Sequence, residues 1–427
     1  MSKTILSLIF LMLVAFLSLP AMAAEGVLVG MPDPAVIQGQ DGCFYVFATG
    51  AGLPISRSKD LVNWEKIGRV FETSVPAWAK EAIQKTEGIW APDIIKLGDK
   101  YYVYYCVSSF GSQRSVIGVA VNNTLDPASP DYKWTDLGMV LESFPDKDDF
   151  NAIDIAAFQD TDGKVYAVWG SFWGGIKFAE VDPATGKLLD TRPFATVASR
   201  PDVPSHAIEG TYLIRKHDYY YMFVSFDSCC DGAESTYKMM IGRSKKIEGP
   251  YLDFSDKPMT QGGGTLLLAN NDNWRGPGHN SVLQAKEGDF VVHHTYDTFN
   301  LDKHRILQVR PLYWTEDQWP VVGEPISVKN PVNTAPIQFN AKALVGSWRL
   351  STDYGQERIV DLLGRGRIAN QRGASWSVSD GSILLTWPGE GDSKSDVVDR
   401  CFIEPSGKSF IGRNPSGAVI RGMKIGQ

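Results

Sequence analysis

The chain has 427 residues, of which 21% are charged and 11% aromatic, and its formal net charge is -7. That length and aromatic content describe globular domains with large cores, not a disordered chain. The acidic balance, with no basic run, excludes nucleic acid and anionic membrane surfaces as partners and favours a neutral substrate.

The N-terminus reads as a processing signal. Lys3 supplies the positive start, Ile5 to Leu19 is an apolar run broken only by Ser, and Ala21-Met22-Ala23 has the small-x-small form of a cleavage site. The run is short for a membrane span. Residues 1–23 are therefore expected to be a removed signal peptide, and the mature protein to be secreted or periplasmic, with no membrane attachment. No Cys follows the cleavage site to carry a lipid.

From there the chain is built of short alternating or aromatic runs bounded by Gly, Asp and Asn, the pattern of an all-β protein. A repeat organises it. Aromatic strands begin at Phe44, Tyr101, Val165, Tyr220 and Phe290, each after a turn ("GQDG", "LGDK", "DTDG", "RKHD", "AKEGD") and each preceded by another apolar run. Five units, each too small to bury its own faces, predict a five-bladed β-propeller over residues 24–330. Of the five Cys, Cys43, Cys106, Cys229, Cys230 and Cys401, none shows paired zinc spacing. Three sit in strand-like segments, where buried free thiols are the default.

Eleven residues before each aromatic start stand Asp33, Trp90, Asp154, Glu209 and His279, in "PDPAVI", "WAPDII", "IDIAAF", "IEGTYLI" and "HNSVLQ". First strands of a propeller line its channel, so three carboxylates, a Trp and a His are expected at one mouth. Asp93, on the other strand face, is read as structural. Such a ring suits glycoside hydrolysis, in which one carboxyl protonates the leaving oxygen and another activates water or attacks the sugar. The third carboxylate can raise the acid's pKa by repulsion. An aromatic offers an apolar face for the sugar.

The same segments, with "FYVFATGAGLPISRSKDLVNW", "NAIDIAAFQDTDG", "WGSFWGGI", "SCCDGAESTYKMMIGRS" and "RPLYWTEDQWP", resemble glycoside hydrolase family 43 and, within it, the endo-1,5-α-L-arabinanases. The resemblance implies an inverting mechanism with Asp33 as general base, Glu209 as general acid and Asp154 tuning and orienting the acid. It implies sugar contacts from Trp90, Gly111, Asn151, Ala152, Ile153, Ser171, Phe172 and Trp173. It also implies one calcium ion at His279. Two positions depart from the family pattern, Pro32 where a His is usual and Ile155 where a Pro is usual.

Two further stretches carry no chemistry. "GGG" at 262–264 lacks the Lys and helix of a phosphate loop, and "RSKK" at 243–246 reads as a solvated turn. "VKNPVNTAP" marks a linker, placed at 331–340. Residues 341–427 then alternate short strands with turns such as "PSGK" and "NPSG", which predicts a small C-terminal β-barrel or sandwich. Its Trp348, Trp376 and Trp387 are read as core. The expected substrate is arabinan or arabino-oligosaccharides, taken by a monomer. The rival expectations are an exo-acting α-L-arabinofuranosidase or β-xylosidase on the same fold, and a non-catalytic sugar-binding propeller.

Overall fold

The structure is a computed structural model that describes residues 28–426 except 87, 191, 301–303, 333–340 and 390–394. The expected signal peptide and most of the expected linker lie outside the described residues. Five antiparallel sheets follow one another along the chain. Blade 1 holds β1 (Ala35–Gln38), β2 (Phe44–Phe47), β3 (Pro54–Ser58) and β4 (Trp64–Arg69). Blade 2 holds β5 (Trp90–Leu97), β6 (Lys100–Val107), β7 (Ser115–Asn122) and β8 (Thr135–Ser143). In blade 3, β9 (Ala156–Gln159), β10 (Val165–Trp169) and β11 (Ile176–Asp182) are finished by two short strands, β12 (Lys187–Leu188) and β13 (Ala195–Ala198). Blade 4 holds β14 (Ile208–Lys216), β15 (Tyr219–Phe226), β16 (Lys238–Ser244) and β17 (Thr265–Leu268). Blade 5 holds β18 (Trp274–Ala285), β19 (Gly288–Asp297), β20 (Ile306–Trp314) and β21 (Pro320–Val322).

Strands β1, β5, β9, β14 and β18 contact one another in a closed ring around the channel. The aromatic second strands are buried on both faces because each blade packs between two others. Tyr45 and Phe47 meet Tyr101, Val103 and Tyr105 between blades 1 and 2. Tyr104 and Cys106 meet Phe150 and Trp169 between blades 2 and 3. Val168 meets Met222 and Val224, Phe223 meets Val291, and Val46 meets Val292 at the remaining junctions. Each such side chain contributes roughly 1.5–3 kcal/mol when fully buried, so the inter-blade seams are the core. The ring closes where Leu28–Gly30 pairs with Arg305–Leu307, Val29 bridging Ile306.

The C-terminal unit is a closed eight-stranded barrel, which decides between barrel and sandwich. It runs through β22 (Gly346–Thr352), β23 (Arg358–Leu363), β24 (Arg367–Ile368), β25 (Ser375–Ser379), β26 (Ser382–Trp387), β27 (Val397–Ile403), β28 (Ser409–Arg413) and β29 (Val419–Lys424), β29 pairing back to β22. Trp348 and Trp376 are buried in its core and Trp387 packs against it. The barrel is seated on blades 4 and 5. Arg413 donates to the carbonyls of Pro320 and Leu266, Tyr354 to that of Leu267, and Arg421 Nε to Glu324 Oε1 at 2.7 Å. Tyr313 stacks on Phe402 with centroids 5.3 Å apart.

Candidate active site

The first strands enter the channel through one recurring backbone device. Asp33, Ala91, Asp154 and His279 adopt left-handed φ of 53°, 37°, 59° and 48°, and Gly210 takes the fifth place at 57°. In blades 2, 4 and 5 this residue sits in a bulge of the ladder, between Trp90 and Asp93, Glu209 and Tyr212, and Gly278 and Ser281. Left-handed backbone is costly for residues with a Cβ and clusters at functional sites. A bulge also re-aims side chains locally. The five predicted ring residues therefore do not share one register. Asp33, Asp154 and His279 occupy the left-handed position, whereas Trp90 and Glu209 stand one residue earlier. Glycine suits position 210, because a Cβ there would come within 3.1 Å of His279 Cα and 3.2 Å of the Tyr237 hydroxyl.

Those residues nonetheless line one cavity of about 440 Å³, together with Thr49, Phe110, Gly111, Asn151, Ile153, Ser171, Phe172, Trp173, Cys229, Cys230 and Arg305. Ala152 is the exception among the expected sugar contacts. It is fully buried in the seam between blades 2 and 3, its N–H donating to Ser143 Oγ, and it does not line the cavity. Asn151 is buried and fixed by Ser115 Oγ, which donates to its Oδ1 at 2.6 Å. Phe110 and Trp173 stand at the rim, 86% and 36% exposed.

Asp33 is the most heavily partnered carboxylate. Thr49 Oγ1 donates to its Oδ2 at 2.5 Å, and the Thr49 hydroxyl in turn accepts the Ala91 N–H. Around Oδ1 stand Arg305 Nη1 at 3.4 Å, His279 Nδ1 at 3.4 Å and His294 Nδ1 at 3.2 Å. Burial pushes this carboxyl up, but Arg305, His279 and His294 outweigh it and hold it well below the usual carboxylate range. Burial also pulls His294 down to about 4, so near neutral pH it is uncharged. The His294 Nδ1 is also 3.1 Å from the Asp33 amide. One nitrogen serves the amide or the carboxylate at a time.

Glu209 is held by hydroxyls at both oxygens. Ser171 Oγ donates to Oε2 at 2.7 Å and Tyr237 to Oε1 at 2.9 Å. The Tyr237 ring lies stacked on His294, centroids 5.9 Å apart and 11° from parallel, and so connects the surroundings of Glu209 to those of Asp33. Asp154 accepts the Gly210 N–H at 3.2 Å. Burial raises its carboxyl to about 7. His279 opposes the rise, and the charges of Glu209 and Asp33 add to it. Asp93 is absent from the cavity. It accepts the Ala157 N–H at 2.7 Å across blades 2 and 3.

His279 turns Nδ1 toward Asp33, which leaves Nε2 as its free nitrogen. Among the described residues no group of three or more His, Cys, Asp or Glu is arranged to hold a metal. Calcium takes six to eight oxygen ligands, so this donor set fits only an ion that keeps most of its water.

Sequence reasoning missed Tyr237, Arg305, Thr49, His294 and the bond between Cys229 and Cys230. Tyr237 lies inside the distinctive "STYK" segment. Arg305 follows "LDKH" with no local pattern at all, and reaches the site only through the fold. Cys43, Cys106 and Cys401 are free and buried.

The profile of glycosyl hydrolases family 43 matches residues 27–320. The chain belongs to glycosyl hydrolases family 43. It is 41% identical over 307 residues to an extracellular exo-α-(1→5)-L-arabinofuranosidase of Cellvibrio japonicus, covering 69% of this chain and 87% of that one. It is 38% identical over 292 residues to an extracellular endo-α-(1→5)-L-arabinanase of Bacillus subtilis, covering 67% and 86%. Among solved structures, the Cellvibrio cellulosa α-L-arabinanase complexed with arabinohexaose aligns with a TM-score of 0.64 at 40% identity, over 69% of this chain and 95% of that one. The endo-1,5-α-L-arabinanase of Thermotoga petrophila aligns at 0.76 and 25% identity, over 93% and 99%.

Proposed function

We propose that this family 43 hydrolase is exported and cleaves α-1,5-linked L-arabinan by single displacement with inversion, acting within the chain. One observation carries the reading: three carboxylates, delivered by blades 1, 3 and 4, share a single cavity with the aromatic side chains of Trp90, Phe110, Phe172 and Trp173. In this account Asp33 takes a proton from water as the water attacks C1. Arg305 and the Thr49 hydroxyl keep that carboxylate in place. Glu209, oriented by Ser171 and Tyr237, gives its proton to the departing oxygen. Asp154 stands beside them through Gly210 and resists a further negative charge in the cavity. The aromatic walls offer apolar faces to furanose rings.

A calcium ion on His279 Nε2, completed by water, is part of the proposal. It would supply fixed positive charge near the three carboxylates, and no step runs through it. The arabinan assignment and the export are supported by the relatives from Cellvibrio japonicus and Bacillus subtilis, both named as extracellular arabinan-acting enzymes.

The second reading is exo action, favoured by the 41% identity to the Cellvibrio japonicus exo-arabinofuranosidase. Product profiles on debranched arabinan, xylan and aryl glycosides separate the readings. Endo action gives oligomers of mixed length from arabinan. A single short product from the first minutes onward is the exo result. No turnover on any of them returns the chain to a sugar-binding role.

A further inference from the structure

Cys229 and Cys230 are adjacent in sequence and joined to each other. They lie in the segment between β15 and β16, and both line the cavity. The segment is closed on itself. Thr236 N–H donates to the Ser228 carbonyl at 3.0 Å, Ser235 Oγ donates to the same carbonyl at 2.9 Å, and the Ser228 N–H donates to Thr236 Oγ1. Its root is fixed by Asp227, paired with Arg200 and Lys238 at 2.7 Å each. The disulfide thus sits at the tip of an anchored loop, and the bond between neighbouring residues stops the two sulfurs from rotating apart.

What that tip touches is Arg305. The arginine comes from blade 5, just before β20, with its carbonyl accepting the Gly30 N–H at 3.0 Å. Its backbone is pinned where the propeller closes, but its side chain must cross to the cavity. Nη1 lies 3.4 Å from Asp33 Oδ1 and 3.4 Å from Cys230 Sγ. The side chain is 21% exposed, so water alone does not confine it. A free arginine side chain has substantial rotamer entropy to lose, and a rigid wall reduces the number of conformers that compete with the seated one.

We propose that the Cys229–Cys230 disulfide is a positioning element of the hydrolytic site: it seats the Arg305 guanidinium on Asp33, and opening it disables turnover. The proposal rests on the reading of Asp33 as the base. The opening step is thiol–disulfide exchange with an added dithiol. One thiolate of the reagent attacks Sγ of the pair and displaces the other as a thiolate. The second reagent thiol then resolves the mixed disulfide. Two electrons pass to the protein, two protons end on Cys229 and Cys230, and the reagent leaves as its cyclic disulfide. An exported protein meets an oxidising compartment in which the closed form persists. The other three Cys are buried free thiols, so in the folded protein the reagent has this bond to act on.

The test uses the full chain on short arabino-oligosaccharides. Native reduction by dithiothreitol, trapped with iodoacetamide and counted by mass spectrometry, is compared with Cys229→Ser/Cys230→Ser, with Arg305→Ala, and with reduction of Arg305→Ala. The expected result is a fall in kcat on the order of tenfold to a hundredfold, larger than any change in KM. It should match between the reduced and the serine proteins and be reversed by reoxidation when alkylation is omitted. In the Arg305→Ala background, reduction should cost nothing further. Unchanged kcat on full reduction overturns the proposal, and so does an equal further loss in Arg305→Ala. Should the double serine variant fail to fold, reduction of the native protein decides alone. If Asp33→Ala retains its activity, it is the assignment of the base that has failed. An inactive Asp33→Ala beside an indifferent reduced enzyme fails the disulfide proposal only.

Discussion

Replacing Asp93 by Asn should stabilise the protein at neutral pH and flatten its pH dependence. Asp93 lies on β5, 3% exposed, and its Oδ2 accepts the Ala157 N–H at 2.7 Å. Burial pushes the carboxyl up to about 7, and the Ala157 and Ile94 amides pull it back only in part. In the unfolded chain an aspartate titrates near ~3.9. Between these values the unfolded chain has released its proton and the folded chain still holds it. Stability therefore falls as pH rises through that window, and the loss is complete above it. At ~1.4 kcal/mol per pH unit, the full penalty is roughly 4 kcal/mol, and between pH 5 and pH 7.5 it grows by about 2–3 kcal/mol. Asparagine keeps an acceptor for Ala157 and cannot ionise. Urea unfolding followed by tryptophan fluorescence should show the variant gaining on the native protein by about that amount between the two pH values. An equal difference at both, or a variant less stable at the higher pH, would refute the argument that an unpaired buried carboxyl stands there.

Tyr237→Phe removes the donor to Glu209 Oε1 and keeps the ring on His294. A hydrogen bond to the uncharged acid contributes ~0.5–1.5 kcal/mol net, so kcat on arabinan should drop roughly twofold to tenfold; unchanged kcat would make Tyr237 a packing residue only. A chain ending at Val332 strips Arg421 from Glu324 and uncovers Val321 and Tyr313, so its Tm should fall, while turnover of short oligosaccharides persists because none of the described barrel residues lines the cavity. A folded but inactive truncation would show that the barrel supplies part of the site. Proton NMR of the first-formed product from an α-linked substrate should show the β anomer; the α anomer would make one carboxylate a nucleophile.

The five blades were legible because each repeats an aromatic strand after a turn, and that periodicity is what packing between blades demands. The register at the channel mouth was legible only to within one residue. Counting from the aromatic starts placed Trp90 and Glu209 level with Asp33, but the hairpins differ. Blades 1 and 3 turn through residues 39–43 and 160–164, whereas blades 2 and 4 turn through 98–99 and 217–218. The aromatic start is thus no fixed ruler. The shared left-handed backbone instead aligns Asp33, Asp154 and His279 with Ala91 and Gly210. The carboxylates could be found because acids before a buried strand are unusual. Arg305 could not, because its role depends on the closing of the ring between Leu28–Gly30 and Arg305–Leu307, far apart in sequence. The barrel's strands were visible in turn signals such as "NPSG", whereas its docking through Arg413, Arg421 and Tyr354 was not. Buried cations at an interface leave no periodic trace.

The division of labour between Asp33 and Glu209 is tested most directly by comparing leaving groups. Kinetics of Asp33→Ala and Glu209→Ala would be measured on arabinan and on a dinitrophenyl arabinofuranoside, whose leaving group departs as an anion without a proton. Glu209→Ala should lose on the order of 10²–10⁴-fold on arabinan and far less on the activated substrate, while Asp33→Ala should be crippled on both because both need an activated water. Equal losses for a folded Glu209→Ala on the two substrates would contradict it, for Glu209 would then not be the group that protonates the departing oxygen.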